Sequence, residues 1–432
     1  MRLTNVAQMS LPRGTLYSFA LRASSRPGAR LPISFDQRRH VGEGARAGSW
    51  MAVAFRVPAA AALDDIAAAW VAMIGRHGTL RSAFSHDPDG DLALHEIEIE
   101  DGEWLLHPVG DQRSTRDAVR EVLDAACSPF ERPSHRVCVV FPERPDPLDP
   151  RPTVVIGADH AHVDMWSLLV LVRDMIGLLA SGTSLDGQEP AASFAEHSGV
   201  LERMPPAPGE VHRRWNDILA AEGGAMPSFP LPLGDVSAPR REVVEVRDVL
   251  SADESRRLEE AAAAQGVRLT SLALSVLTRA TARLSGASLR AVFPVHSRNE
   301  GRWHDSVGWF ITNSVIQCAD TDPVACAAAV KDALALGSHP LAPIFAPHGG
   351  MPAGPGMFAI SWLDTRRLPP VDDALQIQYV SAVIETDGVM IWFIVNDAGL
   401  HLRCRYPDTA EARANVGAWL DAVEAGLRQA VP

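Results

Sequence analysis

The chain has 432 residues, 47% hydrophobic and 22% charged, with a formal net charge of -13 at pH 7. That length exceeds one ordinary core, so two domains are expected, and the acidic balance argues against general nucleic-acid binding, which needs a basic surface to neutralise phosphate. No apolar run is long enough to span a bilayer and the N-terminal residues do not pattern as a signal-peptide core, so a cytoplasmic location is expected; Cys127, Cys138, Cys318, Cys326 and Cys404 contain no C-x-x-C pair and read as buried thiols.

Residues 1–30 carry weak patterning. Residues 52–57 read as a strand, and residues 60–76 as a helix with Leu63, Ile66, Trp70, Met73 and Ile74 at helical spacing. Gly78 is placed to cap it, after which the chain turns extended. A strand at 95–99, a helix at 115–126 and a strand at 136–141 follow, then a proline-rich loop at 142–152. Residues 153–156 are a buried strand, and residues from Trp166 to about 180 a helix.

Residues 193–219 read as one helix with Trp215 on its apolar side. Pro and Gly punctuate 223–240 throughout, which places an interdomain linker there. The expected domains are therefore 1–222 and 241–432. In the second, a strand at 243–249 runs into a helix with Ser251 as N-cap, Glu254 at the capping-box position and Gly266 at its C-terminal end. Helices at 270–284, 323–336 and from 409 alternate with strands at 289–295, 307–317, 357–363, 377–384, 389–396 and 399–406. Alternating elements in both halves suggest two α/β lobes of similar build.

Between the buried strand and its following helix lies a polar knot: Asp159, His160, His162 and Asp164. Four ionisable groups in six residues, flanked by apolar sequence, are costly to bury without partners or purpose. A strand that opens into a polar loop and then a helix is a common support for a reactive side chain. On an extended chain His160 and His162 would face the same side.

The knot and several other stretches fall in the order of one family. His160, three free positions apart from Asp164, is similar to the hallmark of two adjacent histidines, three free positions, then Asp-Gly. Asp159 stands in place of the first histidine and Met165 in place of the glycine. ISFDQRRH (residues 33–40) resembles the family's opening S-x-x-Q segment, and RHGTLRSAF (76–84) its RH-x-x-LR-x-x-F. VHSRNEG (295–301) and VGWFITN (307–313) resemble later motifs, as do SWLDTRRLP (361–369) and LRCRYPDT (402–409). The family is the condensation-domain superfamily, whose fold is shared by chloramphenicol acetyltransferase; the last two motifs most resemble its stand-alone polyketide-associated acyltransferases.

The resemblance implies two chloramphenicol-acetyltransferase-like α/β lobes forming a V with the active site at their interface. It implies transfer of an acyl group, from a thioester on coenzyme A or on the phosphopantetheine arm of an acyl or peptidyl carrier protein, to a hydroxyl or amine acceptor in natural-product or complex-lipid biosynthesis. No cofactor or metal need be resident. His160 would be the general base, since imidazole removes a proton near neutral pH. Asp164 would pair with Arg298 and hold the loop in shape. Asp159, beside the imidazole, would raise its pKa. His162, Trp309 and Asn313 are candidates for substrate contact, with His162 read first as structural. Met165 denies the backbone the freedom of a glycine.

Two competing readings stand beside this one. A binding module of the same fold would recruit a partner to a carrier-bound intermediate without turnover, as the changes at Asp159 and Met165 allow. H-x-H-x-D (His160, His162, Asp164) also opens a metal-binding motif of zinc hydrolases. Against it, Met165 occupies that motif's last histidine position and the ordered motifs elsewhere would go unexplained.

Overall fold

The computed structural model describes residues 2–110, 113–143, 149–182 and 190–432. Among these residues the strands form two seven-stranded sheets and a three-stranded one. The chain divides into two compact units: Met1–Arg203 with Arg298–Phe310 and Leu368–Val383, and Met204–Ser297 with Ile311–Arg367 and Ile384–Pro432.

These units differ from the domains expected at 1–222 and 241–432. Residues 223–240 are no free linker, because Phe229 and Leu233 are buried in the second unit's core. Phe229 meets Phe358 edge-on, with ring centroids 5.1 Å apart. Pro and Gly deny this stretch a helix, yet its backbone still finds partners: Met226 N–H donates to the Pro352 carbonyl and Pro227 accepts from Phe358 N–H. Burial requires satisfied polar groups, not regular structure.

The first unit's sheet runs Arg2–Asn5, Gln378–Ser381, Trp50–Arg56, Thr153–Asp159, His135–Pro142, Gly14–Ala23, Ile99–His107. Thr153–Asp159 is interior, with Ala54 opposite Val155 on one side and Cys138 opposite the same residue on the other. Every residue of this strand is buried. Its near-continuous apolar run follows, since both faces are covered. Helix Thr115–Ala126 approaches so closely that a Cβ on Gly157 would lie 2.6 Å from Leu123 Cδ2. Helix Met165–Ser181 packs with Leu63–Arg76 and ends at Gly182, whose φ of 80° suits glycine.

Two elements of this unit departed from expectation. The single strand at 95–99 is two: Leu92–Glu96 belongs to the three-stranded sheet and Ile99–His107 to the large one. Gly14–Ala23, in the weakly patterned N-terminal stretch, is a ten-residue strand. The proline-rich loop expected at 142–152 falls partly on residues 144–148, outside the described residues.

The second unit's sheet runs Ile311–Cys318, Leu289–His296, Phe358–Asp364, Val389–Asn396, Gly399–Pro407, Arg240–Ser251, Glu385–Thr386. Leu258, Leu277 and Trp419, from helices Ala252–Ala264, Leu269–Ser285 and Ala410–Gln429, share its core. Ser251 and Glu254 form the expected capping box. The helix expected over 193–219 is two, Phe194–Glu202 and Gly209–Ala220, because Pro205, Pro206 and Pro208 lie between them. All five cysteines are free and buried. Among the described residues no helix is long and apolar enough to cross a membrane.

Candidate active site

The path of the polar knot is set by its two aspartates. Asp159 accepts from Ala161 N–H at 2.9 Å and opens a one-turn 3-10 segment, His160–His162. Asp164 then caps helix Met165–Ser181 by accepting from Ser167 N–H at 2.7 Å. Short carboxylate side chains bond their own backbone two or three residues on, which is why Asp suits both positions.

The turn separates the two imidazoles that an extended chain would place together. His160 Nδ1 lies 3.0 Å from the Val163 carbonyl oxygen. A carbonyl only accepts, so Nδ1 carries the proton and Nε2 keeps its lone pair. The ring stacks on Trp309, with centroids 4.1 Å apart and planes 20° from parallel. It is half-buried. Burial pushes its pKa down to about 4, with the nearby His40 acting in the same direction.

Asp159 acts in the expected direction, but burial outweighs it. The Asp159 carboxylate raises the His160 pKa only weakly against burial. It is engaged instead by Ser49 Oγ at 2.6 Å, Ala161 N–H at 2.9 Å and His40 Nε2 at 3.3 Å. Burial would push the Asp159 pKa up; hydrogen bonds from His40 and Ser49 oppose that and hold it low.

His162, a candidate for substrate contact, is fully buried beneath the turn. Its Nδ1 lies 3.1 Å from Ser134 Oγ and its ring meets Phe84 edge-on at 5.4 Å. Phe84 and Ala161 belong to one small apolar cluster with Ile33, Val41 and Leu94. His162 is thus enclosed by packed neighbours. The neighbouring His135 donates from Nε2 to the Leu80 carbonyl at 2.9 Å, since a carbonyl only accepts.

Asp164 and Arg298 meet at 3.1 Å, both buried. Asp164 Oδ2 also accepts from Phe310 N–H at 3.0 Å. Arg298 donates to the carbonyls of Trp303 at 2.5 Å and Ser306 at 2.8 Å and to Ser167 Oγ at 2.8 Å, and lies 3.9 Å from the Phe310 ring centroid. Burial lowers the Arg298 pKa, against the pull of Asp164. One ion pair therefore ties the start of the site helix to the segment Arg298–Phe310 that carries Trp309.

Met165 answers its own question: it is the first residue of the site helix, and among the described residues Gln376 is the one non-glycine with positive φ. No glycine is required there. The Met165 carbonyl accepts from Tyr379 Oη at 3.0 Å. Asn313 lies on strand Ile311–Cys318 of the second unit, opposite Pro294.

Several supporting residues were not assigned roles by sequence reading. Ser34 and Gln37 form a capping box, and Gln37 Nε2 then donates to the Ala161 carbonyl at 2.9 Å. Their S-x-x-Q spacing was the available signal. Thr79 Oγ1 donates to the Val307 carbonyl at 2.6 Å, joining two of the ordered motifs. Ser49, His40 and Arg46 carried no local signal, because their partners are distant in sequence. The three side chains of H-x-H-x-D do not converge, and among the described residues no three His, Cys, Asp or Glu are grouped to hold a metal ion.

A family model described as "Condensation domain" matches residues 41–332, more than half of the chain. Acyltransferase PapA3 of Mycobacterium tuberculosis is 24% identical over 305 residues, covering 67% of this chain; the chain spans 63% of that relative's length. AMB antimetabolite synthetase AmbE of Pseudomonas aeruginosa is 30% identical over 249 residues, 54% of this chain and 11% of that protein. Among solved structures, PapA2 acyl transferase superposes with a TM-score of 0.85 at 19% identity, covering 100% of both chains. The first condensation domain of the CDA synthetase gives 0.72 at 13% identity, covering 94% of this chain and 97% of that one.

Proposed function

This chain belongs to the condensation-domain family, and from that premise we propose that it is an acyltransferase using His160 as general base. The acceptor hydroxyl or amine attacks the thioester carbonyl while His160 Nε2 takes its proton. The tetrahedral intermediate collapses, the C–S bond breaks, and the departing thiolate recovers the proton from the imidazolium. No covalent enzyme intermediate is needed, because both substrates meet at once.

The observation that carries this reading is the state of His160. Its Nδ1 proton is engaged by the Val163 carbonyl and its ring stacks on Trp309, which leaves Nε2 as the basic atom on a fixed plane. A pKa near 4 means that the imidazole is unprotonated at neutral pH, as a base must be.

The donor is an acyl thioester of coenzyme A or of a carrier protein's phosphopantetheine, and the acceptor belongs to natural-product or complex-lipid biosynthesis. The acyltransferase names of PapA3 and PapA2 support this class. With a chain charge of -13, an acidic carrier protein gains no long-range attraction and would dock through local contacts.

The test is thiol release from a panel of acyl-coenzyme A and acyl-carrier thioesters with mixed hydroxyl and amine acceptors. Acceptor-dependent release is expected to fall by about 10²- to 10⁴-fold in His160→Ala, the usual worth of a positioned base. An active wild type matched by the variant would remove His160 from the mechanism. Release absent from the wild type across the panel would favour the non-catalytic binding reading.

A further inference from the structure

The knot's first aspartate stands where the family pattern carries a histidine, and the fold brings an imidazole to it from another element. His40, at the end of helix Phe35–Gly42, places Nε2 at 3.3 Å from the Asp159 carboxylate. Its other nitrogen, Nδ1, lies 2.9 Å from Arg46 Nη2. A guanidinium only donates, so Nδ1 accepts and the proton of this ring sits on Nε2, facing Asp159. Arg46 is itself held by the His40 carbonyl at 2.9 Å and by Glu43 at 3.1 Å.

We propose that His40 is a positioning residue for His160: backed by Arg46, it holds the Asp159 carboxylate against the Ala161 amide and so fixes the turn that presents Nε2 of His160. Its activity readout rests on the acyltransferase reading above; its structural readout does not.

Three observations converge on this role. Asp159 is fully buried, where a carboxylate without donors would be strongly unfavourable. The same short helix engages both backbone polar groups of Ala161: Gln37 donates directly to the carbonyl at 2.9 Å, and His40 acts on the amide through Asp159. Ala161 is the middle residue of the turn, so holding it sets the departure angle of the His160 side chain. Finally, His40 meets Trp309 edge-on at 5.3 Å and its ring centroid is 5.9 Å from that of His160. It therefore braces the aromatic plane on which His160 stacks as well as the backbone that carries it. Removing His40 would take one of three donors from the Asp159 carboxylate, leaving Ser49 and the Ala161 amide, and one neighbour from Trp309, without touching the reacting atoms.

The test compares His40→Leu, His40→Gln and Arg46→Met with the wild type, using octanoyl-coenzyme A with mixed hydroxyl and amine acceptors, alongside amide hydrogen exchange at Ala161. The leucine variant is expected to lose roughly ten- to a hundredfold in kcat, the usual scale for an orienting partner, with KM unchanged. The glutamine variant, which retains an N–H donor, is expected to recover most of it. In an Asp159→Asn background the same His40→Leu change is expected to add little, because both act through one contact. Exchange at Ala161 should rise in the leucine variant and return towards wild type with glutamine. Should the leucine variant fail to fold, Arg46→Met provides the same comparison at a half-exposed position.

Wild-type kcat in His40→Leu, or a loss fully additive with Asp159→Asn, would overturn the inference. If the wild type releases no thiol from octanoyl-coenzyme A, the thioester panel decides the acyltransferase reading and exchange at Ala161 decides this one: faster exchange in His40→Leu supports positioning, and unchanged exchange refutes it.

Discussion

Asp164 and Arg298 are 134 positions apart in sequence and 3.1 Å apart in the fold, both out of contact with water. Asp164 caps the site helix and receives the Phe310 amide, while Arg298 gathers the carbonyls of Trp303 and Ser306. The pair is a fastener between the knot and the segment that stacks Trp309 on His160. Breaking it from one side leaves the other charge buried and unpaired.

Asp164→Ala or Arg298→Met alone is therefore expected to cost about 3–5 kcal/mol of stability. The double variant should cost less than the sum, because neither charge remains stranded. Chemical denaturation of the two single variants and the double variant measures the cycle. Strict additivity would show that the two charges do not depend on one another.

Among the described residues burial lowers the pKa of six imidazoles, and acid should act most on three of them. Burial holds His135 down to about 3, and His160 and His197 down to about 4. An unfolded histidine titrates near 6.5, so between that pH and about 4 the unfolded chain binds more protons than the folded one. Stability is then fully present above about pH 6.5 and falls as pH drops towards 4, at about 1.4 kcal/mol per unit for each group. A thermal-unfolding series across this range checks the slope. His197→Phe, set among Phe194, Trp303 and Phe310, should flatten it by removing one of the three protons.

The same depression shapes the proposed activity. With His160 unprotonated down to about pH 4, the acid limb of kcat/KM should bend there and not near 6.5. A pH profile on the fastest thioester and acceptor pair provides the reading. A bend at 6.5–7 would mean that the active imidazole is hydrated as it is in a free histidine.

Gly308 has no room for a side chain: an added Cβ would lie 2.4 Å from Phe194 Cβ and Cγ. Its amide donates to Ser167 Oγ at 3.0 Å, so it cannot shift without disturbing the Asp164 cap. Gly308→Ala should cost about 1–3 kcal/mol by overpacking. Phe194→Ala in the same chain should return part of that loss, as equilibrium unfolding of the pair would show.

What could be read locally was read well where neighbours in sequence do the work. Ser251 with Glu254, and the helix Thr115–Ala126, depend on contacts within one turn and emerged as expected. Where Pro205, Pro206 and Pro208 break the stretch after Glu202, the local signal was present and outweighed by the surrounding apolar spacing. The knot itself was legible because four ionisable groups between two apolar runs demand partners.

The sequence by itself determined the strand, turn and helix that carry His160, since hydrophobic period and side-chain capping are properties of adjacent residues. Tertiary structure alone decided which partners complete the site. Sequence pattern gives a strand over residues 377–384, but only the assembled sheet places Gln378–Ser381 beside Arg2–Asn5 in the first unit. Likewise nothing near Asp159 announced His40, and nothing near His160 announced the flat face of Trp309. A side chain's period fixes the direction in which it points; what it meets there depends on chain segments that only folding brings together.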